Sequence, residues 1–163
     1  MPFYNPKTMK RNLAGESYST SEGVWADGEK MLFGIIDKPA GTGSRPHRHP
    51  NEQFIFVQKG RLKAMIDGKR KTVQTGGIIH IPANSLHSMV ATDDEDVIFI
   101  VAKDNSWGIE GIPEDQSIFG AHIGKSAKKK WLRSISKLQS RENLQSKRRK
   151  QSEVSKIVVC TFP

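Results

Sequence analysis

A single cysteine, Cys160, stands among 163 residues. It excludes an internal disulfide framework and any zinc site built from several thiolates. No apolar run approaches the roughly 20 residues that cross a bilayer. The longest, Met31–Ile36 and Val97–Ala102, have the length of strands. The opening MPFYNPKTMK lacks the apolar stretch of a secretory signal. Apolar residues make up only 36% of the chain, lean for a globular domain, so part of it is expected to stay unfolded. Together these shortages predict a soluble, cytoplasmic protein with one domain and an extension.

Acidic residues are scarce in one region alone. The whole chain carries a net charge of +9, which by itself suggests an anionic partner such as nucleic acid. Residues 121–163, however, hold twelve basic residues against Glu142 and Glu153, a balance of +10, so residues 1–120 sum to −1. Glycine stops at Gly124, and every proline but Pro163 precedes Ala121. Turn punctuation ends where the charge begins. The expected organisation is an N-terminal segment over 1–29 that completes the fold, a body over 30–120 and a basic C-terminal tail over 121–163.

The body reads as all-β. Short runs rich in β-branched and aromatic residues recur between turn signals. They are Lys30–Asp37, Gln53–Lys59, Arg61–Asp67, Gly77–Ile81, Leu86–Thr92 and Asp96–Ala102. Asp67-Gly68 suits a tight hairpin because both residues tolerate positive φ. Val97–Ala102 is apolar on both faces and is expected to be a central strand. Many short strands without helical periodicity argue a sandwich or barrel.

His47 and His49 are two apart, so in an extended segment both imidazoles point to one face and can share a metal ion. Gln53 has the same parity, and His87, behind the turn-like Ile81–Leu86 segment, can supply a further nitrogen. A His-x-His pair flanked by Pro46 and Pro50 also suits an ordinary loop, and geometry alone leaves both readings open.

The surrounding pattern is more specific. Five residues separate Gly41 from His47; His49, Gln53 and Gly60 follow at set intervals. Gly76, Pro82, Asn84 and His87 form a second spaced set, 15 residues beyond the first. These resemble the two signature motifs of the cupin superfamily. The likeness covers about 30–102 and occurs once, as in a small single-domain member. It departs at Asn84, where the family has Gly, at Ala91, where it has Asn, and at Gln53, where most members have Glu. The resemblance implies a jelly-roll β-barrel, often a homodimer, with a metal in the barrel mouth. Carried over by position, its ligands are His47, His49, Gln53 and His87.

Glutamine changes the chemistry expected of such a shell. It cannot cancel charge as a carboxylate would, so a divalent ion keeps its full charge and pulls harder on anionic oxygen. The donor set suits Fe, Ni, Zn, Mn or Cu. Parity turns Ile55, Val57, Met89 and Ala91 inward. Arg45 is a candidate clamp for a carboxylate or a surface charge, and His80 a rim or outer-face residue. Tyr18 and Trp25 are candidates to close the mouth or to pack, and Tyr18, Arg45 and His80 are the weak catalytic candidates. Glu52 points away unless a bulge turns it inward.

In the tail, Trp131, Ile135 and Leu138 have helical spacing on a basic background, and Lys147–Lys150 is a block of four bases. The tail is expected to be partly helical or disordered, with nucleic acid or an acidic membrane as alternative partners. The expected function is a metal-dependent enzyme on a small oxygen-bearing organic substrate, with a dioxygenase placed first. Its rivals are a non-oxidative isomerase, lyase or decarboxylase of sugar acids or similar molecules, and a non-catalytic small-molecule binding barrel.

Overall fold

The computed structural model describes residues 3–118 and 120–124. The expectations for Trp131, Ile135, Leu138, Lys147–Lys150 and Cys160 therefore lie outside the described residues, as does nearly all of the basic tail. No helix among the described residues is long and apolar enough to cross a membrane.

Thirteen strands appear in these residues. They are β1 (Asn12–Ala14), β2 (Ser21–Asp27), β3 (Met31–Lys38), β4 (Thr42–Gly43), β5 (His47–Arg48), β6 (Gln53–Lys59), β7 (Arg61–Ile66), β8 (Lys69–Gln74), β9 (Ile78–Ile81), β10 (His87–Ala91), β11 (Val97–Asp104), β12 (Ile112–Pro113) and β13 (His122–Ile123). The architecture is all-β, as expected. One sheet runs β1-β2-β3-β11-β6-β9; in the other, β10 pairs with β4, β5 and β7, and β8, β12 and β13 extend it. All pairings are antiparallel. β11 lies between β3 and β6, which accounts for its apolar character on both faces.

Turn chemistry fixes the hairpins. Asp67 and Gly68 both take positive φ, 44° and 80°, so β7 returns directly as β8 with Ile66 opposite Lys69. Asn84 also takes a left-handed φ of 62° and turns the chain into β10. Gly43 serves closeness instead: a Cβ there would lie 2.2 Å from the Met89 carbonyl oxygen. Only glycine lets β4 run this near β10.

The core occupies the space between the sheets. Val57, Leu62, Ile81 and Val97 are fully buried, and each contributes about 1.5–3 kcal/mol by leaving water. Three strands share a gradient along their inward positions. β6 runs from Gln53 to Ile55 and Val57, β10 from His87 to Met89 and Ala91, and β11 from Lys103 back to Val101, Phe99 and Val97. Each is apolar at one end of the barrel and polar at the other, and the three polar ends meet. Ala121–Gly124, the start of the basic segment by sequence, carries β13 against β4.

Candidate metal centre

Sheet pairing assembles the histidines. β5 and β10 place His47 directly opposite His87, and their ring centroids are 4.1 Å apart. Two residues on, His49 brings its ring within 4.7 Å of His87. One nitrogen from each ring lies within 4.8 Å of the others, and all three residues are buried. The chain then crosses to the other sheet at Pro50–Glu52, and Gln53 opens β6 on the wall of the same cavity.

Each ring is fixed the same way. The Nδ1 atoms of His47, His49 and His87 lie 2.8–2.9 Å from the carbonyl oxygens of Arg45, Asn51 and Ser85, each two residues away. A carbonyl can only accept, so Nδ1 carries the proton and Nε2 keeps its lone pair. The His49 Nε2 is buried with no hydrogen-bond partner. An orphaned lone pair in an enclosed place is costly unless something fills it, and its position in a cluster of three ring nitrogens within 4.8 Å of one another fits a metal ion.

Electrostatics agree with ligation. Burial pushes His49 and His87 down to about 4 and His47 well below its usual range, and neighbouring positive charge adds to the effect. All three are neutral at physiological pH, the form that binds metal. The cavity holds about 50 Å³ and no carboxylate lines it. Tyr18, only 3% exposed, sets its ring 4.3 Å from that of His47, tilted by 36°. Desolvation raises its phenol far above the usual range, so the hydroxyl keeps its proton.

Two lining residues, Lys38 and Lys103, escape detection in the sequence. Both are about 2% exposed or less. The Lys38 ammonium donates to the Met89 carbonyl at 2.9 Å and sits 5.7 Å from the Phe99 ring centroid; burial lowers it to about 7. Lys103 is lowered by burial to about 8 while Asp104 and Glu110 hold it up. The only sequence signal for either is parity: 38 follows Ile36, and 103 follows Phe99 and Val101. Asn51 is also buried, and its amide donates to the carbonyls of Asp104 and Gly108, pinning the loop after His49.

Other candidates are placed elsewhere. The Arg45 guanidinium donates to the carbonyls of Ser17, Asp115, Ile118 and Gly120, so it ties backbone segments together and does not reach the cavity. His80 is on the outer face, 2.7 Å from the Glu52 carboxylate and stacked on Phe54. Glu52 thus points outward. Trp25 lines the cavity beside Gly34, whose missing side chain makes room for the indole.

Residues 34–103 match the family model described as the cupin domain. That stretch, from within β3 to within β11, is similar to a cupin domain. A stretch of 69 residues is 32% identical to the dimethylsulfoniopropionate lyase DddW of Ruegeria pomeroyi, covering 42% of this chain and 45% of that one. The match thus spans less than half the length of that relative. Among solved structures, the polyketide cyclase RemF from Streptomyces resistomycificus superposes with a TM-score of 0.62 at 16% identity, over 71% of this chain and 86% of that one. KdgF from Halomonas sp. gives 0.55 at 16% identity, over 63% and 93%. At such identities the likeness is one of fold.

Proposed function

We propose that this cupin is a metal-dependent enzyme that acts on a small oxygen-bearing organic substrate by non-oxidative chemistry of the lyase class. The observation that carries the metal dependence is the set of three Nε2 lone pairs, each oriented by a backbone carbonyl from Nδ1. His47, His49 and His87 would hold the ion, with Gln53 beside them. Imidazole-rich donors suit Fe, Ni, Zn, Mn or Cu. Bound there, the ion supplies a Lewis acid that polarises a substrate oxygen.

The chain's own groups do the rest. The Tyr18 hydroxyl keeps its proton and serves as a donor on the cavity wall. The apolar inner faces of β6, β10 and β11 close the floor and exclude water. The lyase assignment draws support from the named activity of the 32% identical relative. The test is a panel of short organic acids offered to protein loaded with each metal in turn, with and without oxygen. Turnover in the absence of oxygen is expected. Turnover that strictly requires oxygen overturns the lyase reading and restores the dioxygenase, and metal-dependent binding without turnover favours the non-catalytic barrel.

The same reading includes a homodimer. Two rows of side chains cross the outer face of four adjacent strands: Phe33, Ala102, Phe54 and His80, then Ile35, Ile100, Phe56 and Ile78. Phe33, Phe54, Phe56 and Ile78 are 40–69% exposed. An apolar patch of this kind on a flat sheet favours association with its own copy. Light scattering on the purified protein is expected to give twice the 18.2 kDa chain mass, and Phe56→Glu to halve it. A monomeric wild type contradicts this assembly. Nucleic acid or an acidic membrane as a partner of 121–163 remains a separate proposal, tested by whether truncation at Gly120 abolishes binding in low salt.

A further inference from the structure

Of the two buried lysines that line the cavity, Lys103 is the one without a hydrogen-bond partner among the described residues. It is 2% exposed and lies on the inner face of β11, with Gln53 as its cross-strand partner. Among the described residues its ammonium has no hydrogen bond and no ion pair. The two carboxylates that influence it do so at longer range. Asp104 is engaged with the Ser106 hydroxyl and the backbone amides of Glu52 and Ser106. Glu110 is exposed and reaches toward the Gly15 amide at 3.4 Å. Lys38 makes an instructive contrast, because its ammonium is committed to the Met89 carbonyl. The Lys103 side chain is buried but lines the cavity, and an ammonium drawn this far from bulk water is kept where a ligand can complete it.

The rest of the cavity sharpens the chemistry. No acidic side chain lines it, and Gln53 brings none to the metal. A divalent ion on the three histidines, together with the ammonium of Lys103 lining the same cavity, would demand negative charge. The volume, about 50 Å³, has room for only a few water molecules. We infer that Lys103 is the anchor for the carboxylate of a short-chain organic acid, held between that ammonium and the metal on the three histidines. This rests on the metal reading for one of the two contacts and on Lys103 alone for the other. Lys103 is thereby a binding residue that selects acids over their neutral analogues, and it moves no proton in this account.

The test uses the full-length protein loaded with cobalt, whose visible spectrum reports ligands entering its shell, and the metal-free protein in parallel calorimetric titrations. The probes are propionate and its neutral counterpart propionamide. Cobalt affinity is measured separately for wild type, Lys103→Met and Lys103→Arg. Propionate is expected to bind the cobalt protein at least tenfold more tightly than propionamide. A charge-assisted hydrogen bond is worth 10- to 100-fold, so Lys103→Met is expected to weaken propionate by that factor while holding cobalt at least as tightly as wild type, because a repelling charge near His49 and His87 is removed. Lys103→Arg, which keeps the charge, is expected to restore part of the loss. Equal propionate binding by wild type and Lys103→Met, with cobalt retained, overturns the inference and leaves the metal centre intact. A wild type that takes up no cobalt overturns the metal reading instead. The Lys103 contact then stands or falls on whether metal-free wild type binds propionate better than Lys103→Met does.

Discussion

Replacing His47 and His87 together with alanine is expected to lower metal affinity by roughly four orders of magnitude, with each single replacement costing about 100-fold. A four-ligand site is worth on the order of 12 kcal/mol, about 3 kcal/mol for each ligand. These two rings face each other across the β5–β10 pairing at 4.1 Å. Removing both leaves His49 and Gln53, too few donors to retain a divalent ion at micromolar concentration. Competition titration against a chelator of known affinity reads the loss. Circular dichroism checks that the barrel survives, since Val57, Leu62 and Val97 at its apolar end are untouched. If the double variant keeps wild-type affinity while still folded, the metal binds elsewhere.

Replacing Gln53 by glutamate is expected to move two quantities in opposite directions. Metal affinity rises by about 10- to 100-fold, because an anionic oxygen beside a divalent ion in a poorly hydrated cavity gains more Coulomb energy than a neutral amide. Affinity for small carboxylates falls by a comparable factor for two reasons. The new carboxylate cancels one charge of the metal, and as the cross-strand partner of Lys103 it also offers that ammonium an internal counter-ion. Isothermal titration with metal, then with propionate on the loaded protein, separates the two. A rise in metal affinity without loss of propionate binding means that Gln53 is not what keeps the cavity cationic. Loss of metal affinity means that Gln53 does not face the ion.

How far the sequence revealed this site depended on strand ends. The inner-face pattern was legible wherever strict alternation held, as in Gln53, Ile55 and Val57 or His87, Met89 and Ala91. The hairpin at Asp67-Gly68 and the left-handed Asn84 were legible because few residues tolerate those backbone angles. What escaped did so for one physical reason. A lysine at the end of an apolar run reads as the point where the strand meets water. The runs Lys30–Asp37 and Asp96–Ala102 therefore stop one residue short of Lys38 and Lys103, although β3 and β11 continue through both with their side chains inside. The same bias hid β8, whose Lys69, Arg70 and Lys71 suit an exposed, charged edge and look like loop. Arg45 stood open in the sequence between a carboxylate clamp and a surface charge. Distant backbone carbonyls, invisible in sequence, capture its guanidinium.

Gln53 and the two lysines also change what the charge means. The excess over the whole chain belongs to residues 121–163, whereas residues 1–120 sum to −1. On the proposed reading, the positive charge relevant to a ligand would be local, enclosed and carried by Lys103 and the ion that the three histidines would hold. A near-neutral barrel can therefore hold a strongly cationic cavity, and the isoelectric point is silent about it.

The wild-type arm of the first experiment bears most directly on the central claim. Protein purified without an affinity tag, analysed for transition metals and by X-ray absorption at the edge of whichever metal predominates, is expected to show close to one ion per chain with three imidazole ligands. A folded protein that neither retains nor takes up a stoichiometric metal, or whose metal shows no imidazole scattering, contradicts it.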